Sequence, residues 1–98
     1  MLRPTGDVDA YTAPELRARL HDATTSGAAV VVVDLREVTF IDSAGLGALV
    51  GAHRRMLEAG GRLGIVRPPP LVGRALELTG LTEVFDLYDD PESALAGA

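Results

Sequence analysis

The 98-residue chain contains no cysteine, no tryptophan and no lysine. Without cysteine there is no disulfide framework and no thiolate metal site, which fits a reducing compartment. Without lysine there is no G-x-x-x-x-G-K-[ST] loop to cradle a nucleotide phosphate. All nine basic residues are arginine, which we read as codon bias in a GC-rich genome rather than phosphate recognition. Aromatics are confined to two tyrosines and two phenylalanines, so the core must be built of Val, Leu, Ile and Ala. No apolar run is long enough to span a bilayer, and no charged leader precedes a short apolar stretch, so a soluble cytoplasmic chain is expected. A net charge of −5 argues against nucleic acid as a partner, because phosphate backbones require a basic face. The two histidines, His21 and His53, lie far apart among scattered acids and make no metal-ligand spacing. No cofactor is expected. Beyond Arg74 the only charged residues are Glu77, Glu83, Asp86, Asp89, Asp90 and Glu92, which read as a solvated surface.

The remaining pattern alternates strands and helices. Pro4 makes any strand before Gly6 weak or an edge. Asp7 to Tyr11 alternates polar and apolar, as a short strand or its exit turn would. Thr12-Ala13-Pro14-Glu15 has capping-box spacing and opens a helix predicted from about Ala13 to Thr24. Val30 to Val33 is an unbroken β-branched run, the mark of a central strand covered on both faces. Val38 and Phe40 alternate with Thr39 in a second extended piece. A second helix starts at Asp42 or Ser43, either of which can cap it, and Leu46, Leu49, Val50, His53 and Leu57 form its stripe. Arg62 to Val66 is a strand, and Pro68 to Pro70 a rigid connection to a third helix. Val84 to Tyr88 is a last strand, and Asp90-Pro91 caps a final helical turn. This order predicts an α/β domain of βαβ units around a mainly parallel sheet, with its working end at the carboxyl ends of the strands.

Phe40-Ile41-Asp42-Ser43-Ala44-Gly45-Leu46-Gly47 is the stretch with chemical content. It sets the Ser43 hydroxyl at a helix N-terminus, where N–H groups without intrahelical partners and the helix dipole favour an anion. A phosphate there adds about −1.5 to −2 of charge. A hydrolase elbow is excluded, because G-x-S-x-G would need glycine where Ile41 stands. His53 lies too far along the same helix to act as a base. Gly45, Gly47 and Gly51 each cost that helix about 1 kcal/mol relative to alanine, so close packing or the approach of a partner must offset them.

Gly6-Asp7-Val8-Asp9, Asp34-Leu35, Val38 to Gly47, Gly60-Gly61-Arg62-Leu63 and Leu76 to Leu81 together resemble the STAS-domain anti-sigma factor antagonists of bacteria. The resemblance implies one domain over residues 1–98, with four or five strands and helices packed largely on one side. It implies a non-enzymatic regulator of sigma-factor-dependent transcription. Such an antagonist binds an anti-sigma factor that is also a serine kinase, is switched off when that kinase phosphorylates it, and is restored by a serine phosphatase. The match gives Ser43 as phosphoacceptor, Asp9 and Asp42 as flanks of the docking face, and Ala44, Gly45, Leu46 and Gly47 as its close-contact backbone. A constitutive adaptor in a stress-signalling or transporter-associated complex and a nucleotide-binding module of the same fold are the alternatives. Three departures stand out: only five residues precede the Gly-x-x-Asp turn, so either the start is set too late or the sheet has a frayed edge; Arg67 replaces an asparagine before the proline; and Ala44 replaces a second serine.

Overall fold

The valine run is the spine of the molecule. In a computed structural model, which describes residues 1–97, alternate valines serve two cores. Val31 and Val33 face one layer and Val32 the other. Ala98, part of the expected domain, lies outside the described residues. The elements are β1 (Gly6–Val8), α1 (Ala13–Thr24), β2 (Val30–Asp34), β3 (Val38–Ile41), α2 (Ser43–Glu58), β4 (Arg62–Val66) and α3 (Pro70–Leu78). A 3₁₀ turn (Leu81–Glu83), β5 (Asp86–Tyr88) and α4 (Pro91–Ala96) complete the chain.

All strand pairings are parallel among the described residues: β4 lies between β2 and β5, and β1 pairs with β3. The first eight residues tie these pairings together. Leu2 N donates to Val32 O at 2.9 Å, Asp34 N to Leu2 O at 2.7 Å, Gly6 N to Glu37 O at 3.0 Å and Asp42 N to Val8 O at 3.1 Å. One short N-terminal edge thus runs beside the whole Val32–Asp42 stretch. Pro4, with no N–H to offer, falls in the gap between the two pairings.

Helices α1, α2 and α3 cover one face over Leu16, Leu20, Leu49, Met56, Leu63, Ile65, Val72 and Leu76. Each such side chain, fully buried, contributes roughly 1.5–3 kcal/mol. Helix α4 covers the other face, with Ala94 against Val32 and Val66. Gly64 is its seat: a Cβ there would lie 3.3 Å from the Tyr88 ring and 3.4 Å from Ala94.

Three details differ from the sequence pattern. The buried face of α2 is Gly45, Ala48, Leu49, Ala52 and Met56, while Leu46, Val50 and His53 only flank it and Leu57 is exposed. Small residues beside Leu49 and Met56 let the helix approach the sheet, so Leu46 and Val50 fall to the sides. The last strand is confined to Asp86–Tyr88; Val84 is exposed and Phe85 turns into the core, where its ring and that of His53 lie nearly perpendicular with centroids 5.6 Å apart. Phe40 points outward: β3 has two exposed residues, Thr39 and Phe40, between buried Val38 and Ile41, opposite a register shift between Gly6 and Asp7.

Asp34, at the end of β2, is 1% exposed. Its carboxylate accepts from Arg36 Nη2 at 2.7 Å, Arg36 N at 3.0 Å and Arg3 Nε at 3.2 Å. The Arg36 side-chain hydrogen bonds hold this carboxyl below the ordinary aspartate range, against the opposing effect of burial. The same pair of arginines fastens the N-terminal edge to the β2–β3 turn.

Candidate functional site

The chain leaves β3 at Ile41 and stays extended for one more residue, Asp42, at φ −109° and ψ −173°. From there the Asp42 carboxylate accepts from Ala44 N at 2.9 Å and Gly45 N at 3.2 Å. Asp42 is therefore the cap of α2, and Ser43 is its first helical residue. The alternative of Ser43 as cap is corrected by this geometry. Ser43 is exposed, and its hydroxyl has no hydrogen-bond partner among the described residues. The capping also corrects the picture of a bare helix terminus: two of the amides that would meet an anion are already bound to a carboxylate.

Asp9 reaches the same place from β1. Val8 pairs with Ile41, and Asp42 N donates to Val8 O, so the turn after β1 and the start of α2 are neighbours at the carboxyl ends of two parallel strands. The Asp9 carboxylate accepts from Tyr11 N at 2.9 Å and Thr12 N at 3.1 Å, an Asx turn. Thr12 Oγ1 accepts from Asp9 N at 2.9 Å and donates to Asp7 O at 2.8 Å. That hydroxyl is thereby committed to the turn, and the capping box predicted from Thr12 and Glu15 does not form.

The other expected contact residues divide by burial. Gly45 is buried, and a Cβ on it would lie 2.7 Å from Val8 Cγ1 and 2.8 Å from Ile41 Cγ1. This glycine seats α2 on the strand ends. Gly47 is exposed, and a Cβ there would meet nothing within 4 Å, so packing does not require it. At Gly51 a Cβ would meet only Arg55 Nη1, at an ordinary 3.6 Å. Leu46 and Ala44 are half-buried. The Ala44 carbonyl accepts from Arg17 Nη2 of α1 at 3.4 Å. A cavity of about 210 Å³ lies at this seam, lined by Ala10, Ala13, Pro14, Arg17 and Ala44.

Sequence reasoning missed three residues of this surface. Tyr11 is 95% exposed in the Asx turn, and Phe40 is 48% exposed one turn of chain before Ser43. Two of the chain's four aromatics on its surface were a usable signal. Arg17 was hidden because helix periodicity gives its face but not its neighbour. A larger groove, about 550 Å³, lies elsewhere along α3 and β5 and takes no residue from the Asp9 turn or the α2 start.

The family model of the STAS domain matches residues 1–94. The chain belongs to the STAS domain family. Within it, the chain is 33% identical over 90 residues to the anti-sigma-B factor antagonist of Bacillus subtilis, covering 92% of this chain and 82% of that one. The crystal structure of an anti-sigma factor antagonist from Mycobacterium paratuberculosis superposes with a TM-score of 0.87 at 30% identity, covering 97% of this chain and 80% of that one. The phosphorylated form of the Bacillus cell fate determinant SpoIIAA shares the fold, with a TM-score of 0.72 at 23% identity over 98% of this chain and 87% of that one. No helix of this STAS domain among the described residues is long and apolar enough to cross a membrane.

Proposed function

We propose that this chain, over residues 1–98, is a cytoplasmic anti-sigma factor antagonist that binds an anti-sigma factor serine kinase and is switched off by phosphorylation of Ser43. A serine phosphatase reverses the change. The observation that carries this reading is the Ser43 hydroxyl: exposed, in the first turn of α2, and with no task in the fold once Asp42 has taken the cap. Asp9, Asp42, Ala44, Gly45, Leu46 and Gly47 form the docking face around it, and exposed Gly47 leaves its backbone open to a partner. The chain does no chemistry of its own here; it offers a hydroxyl and a surface.

The switch is electrostatic. A phosphoryl group adds about −1.5 to −2 of charge between two aspartates. A partner closing over that face must strip water from the new charge, and an unmatched interfacial charge costs several kcal/mol. The SpoIIAA structure in its phosphorylated form supports the compatibility of this fold with such a group.

The test is incubation with ATP and the candidate serine kinases of the source organism, followed by intact-mass measurement. The expected result is one phosphate on the wild type and none on Ser43→Ala. A wild type that binds an anti-sigma factor yet is modified by no kinase would replace this reading with a constitutive adaptor.

A further inference from the structure

We propose that Arg17 is the built-in counter-charge for a phosphoryl group on Ser43. This rests on the reading of Ser43 as the modified residue. A bare helix N-terminus would meet a dianion with its own amides. Here Ala44 N and Gly45 N are both engaged by Asp42 Oδ1, and that carboxylate brings a charge of the same sign as the phosphate. Asp9 stands at the neighbouring strand end and adds a second. The first turn of α2 therefore needs a cation from elsewhere to hold the group.

Among the described residues, Arg17 is the arginine in contact with that turn. Its Nη2 donates to Ala44 O at 3.4 Å, the long end of the hydrogen-bond range, and it makes no ion pair. Ala44 is the residue after Ser43. Of the others, Arg3 and Arg36 hold Asp34, Arg67 holds Asp89, Arg55 holds Thr24 and Arg62 holds the Leu95 carbonyl, and among the described residues Arg19, Arg54 and Arg74 make no hydrogen bond to that turn. The cavity between Ala10, Ala13, Pro14 and Ala44 gives the guanidinium room to turn without displacing a side chain. Its planar fork matches phosphate oxygens in a way a point charge does not. Once bound, the phosphoryl group lies along the α1–α2 seam, and the fold tolerates it although the helix amides are already used.

The test needs no kinase. Phosphoserine is placed at position 43 during synthesis by an expanded genetic code, in the wild type, Arg17→Ala and Arg17→Lys. Phosphorus NMR then follows the phosphate through its second ionisation, ordinarily near pH 6. Asp42 and Asp9 raise that pKa equally in all three proteins, so the difference isolates residue 17. The expected result is a pKa lower by about half a unit or more in the wild type than in Arg17→Ala, with Arg17→Lys between them. Arg17 is exposed, so melts of the unphosphorylated variants should match the wild type and serve as the folding control. Superimposable titrations in all three overturn the proposal, even if phosphorylation still abolishes partner binding. Separated titrations with partner binding unchanged would uphold the contact and overturn the functional reading instead.

Discussion

Two helices of this domain begin in the same way and end in different uses. Helix α2 follows Asp42 and helix α4 follows Asp90; both aspartates are extended, and both carboxylates accept first-turn amides. Asp90 accepts from Ser93 N at 2.8 Å, and this bond holds its carboxyl below the ordinary range. Both helices are also fitted through a glycine, Gly45 for α2 and Gly64 of β4 for α4. The next residue is where they part. Helix α4 has Pro91, whose fixed φ and missing N–H suit the first helical position. Helix α2 has Ser43, whose hydroxyl the fold does not use. A proline would serve the fold there as well as the serine does, and the proposed switch is what would use the hydroxyl.

The largest effect that separates the two termini is expected from Gly45→Ala. Its Cβ would press into Val8 and Ile41, which belong to strand ends with little freedom, and should cost about 2–3 kcal/mol in chemical or thermal unfolding. An unchanged melting curve would show that α2 is not seated there. A third aspartate sharpens the contrast between capping and core carboxylates. Asp34→Asn should cost about 1–2 kcal/mol near neutral pH, because charge-assisted bonds from Arg36 and Arg3 are lost. The lowered pKa of Asp34 sets the sign in acid. Its contribution is complete above the unfolded value of about 3.9 and disappears as pH falls through the lower folded value. Melts below pH 4 should therefore bring the wild type toward the Asp34→Asn variant, and parallel acid curves would refute the assignment.

Cap removal should be the next smaller effect. Asp42→Ala is expected to cost about 1 kcal/mol of global stability, because α2 is packed into the main core. Asp90→Ala should fray the six residues of α4, read as faster amide exchange at Ser93 with a smaller change in Tm. Equal global losses would erase the distinction. The smallest effects are at the surface of α2. Ser43→Pro gives α2 the start that α4 already has, and extended Asp42 is compatible with a following proline. It should change stability by no more than about 0.5 kcal/mol. Gly47→Ala should raise stability by up to about 1 kcal/mol while weakening the partner complex; a more stable variant with intact binding would take Gly47 out of the docking face.

The alternation of strands and helices was readable because it rests on local patterns: the valine run, the helical spacing of Leu16 and Leu20, and the glycines that stop α2 and α3. Asp42-Ser43 was readable as a strand-to-helix corner. The missing pieces all depended on neighbours distant in sequence. Thr12 and Glu15 have the spacing of a capping box, yet Asp9 claims the Thr12 hydroxyl first. The large aliphatics of α2 suggested its buried stripe; Leu49 does lie on it, but closeness to the sheet selected Gly45, Ala48 and Ala52 beside it in place of Leu46, Val50 and Leu57. Which of two adjacent candidates caps α2 turned on one extended residue. The contact of Arg17 with the Ala44 carbonyl could not be read until two helices were laid side by side.

The most direct test of the account is the affinity of the anti-sigma factor serine kinase for three forms of this protein: unmodified, phosphorylated at Ser43, and Ser43→Pro. An unmatched charge of several kcal/mol corresponds to a loss of roughly two to three orders of magnitude in the phosphorylated form. The folds of all three should be equally stable, and Ser43→Pro should resist modification. Equal affinity for the phosphorylated and unmodified proteins would contradict the account and leave the serine at the start of α2 without a role.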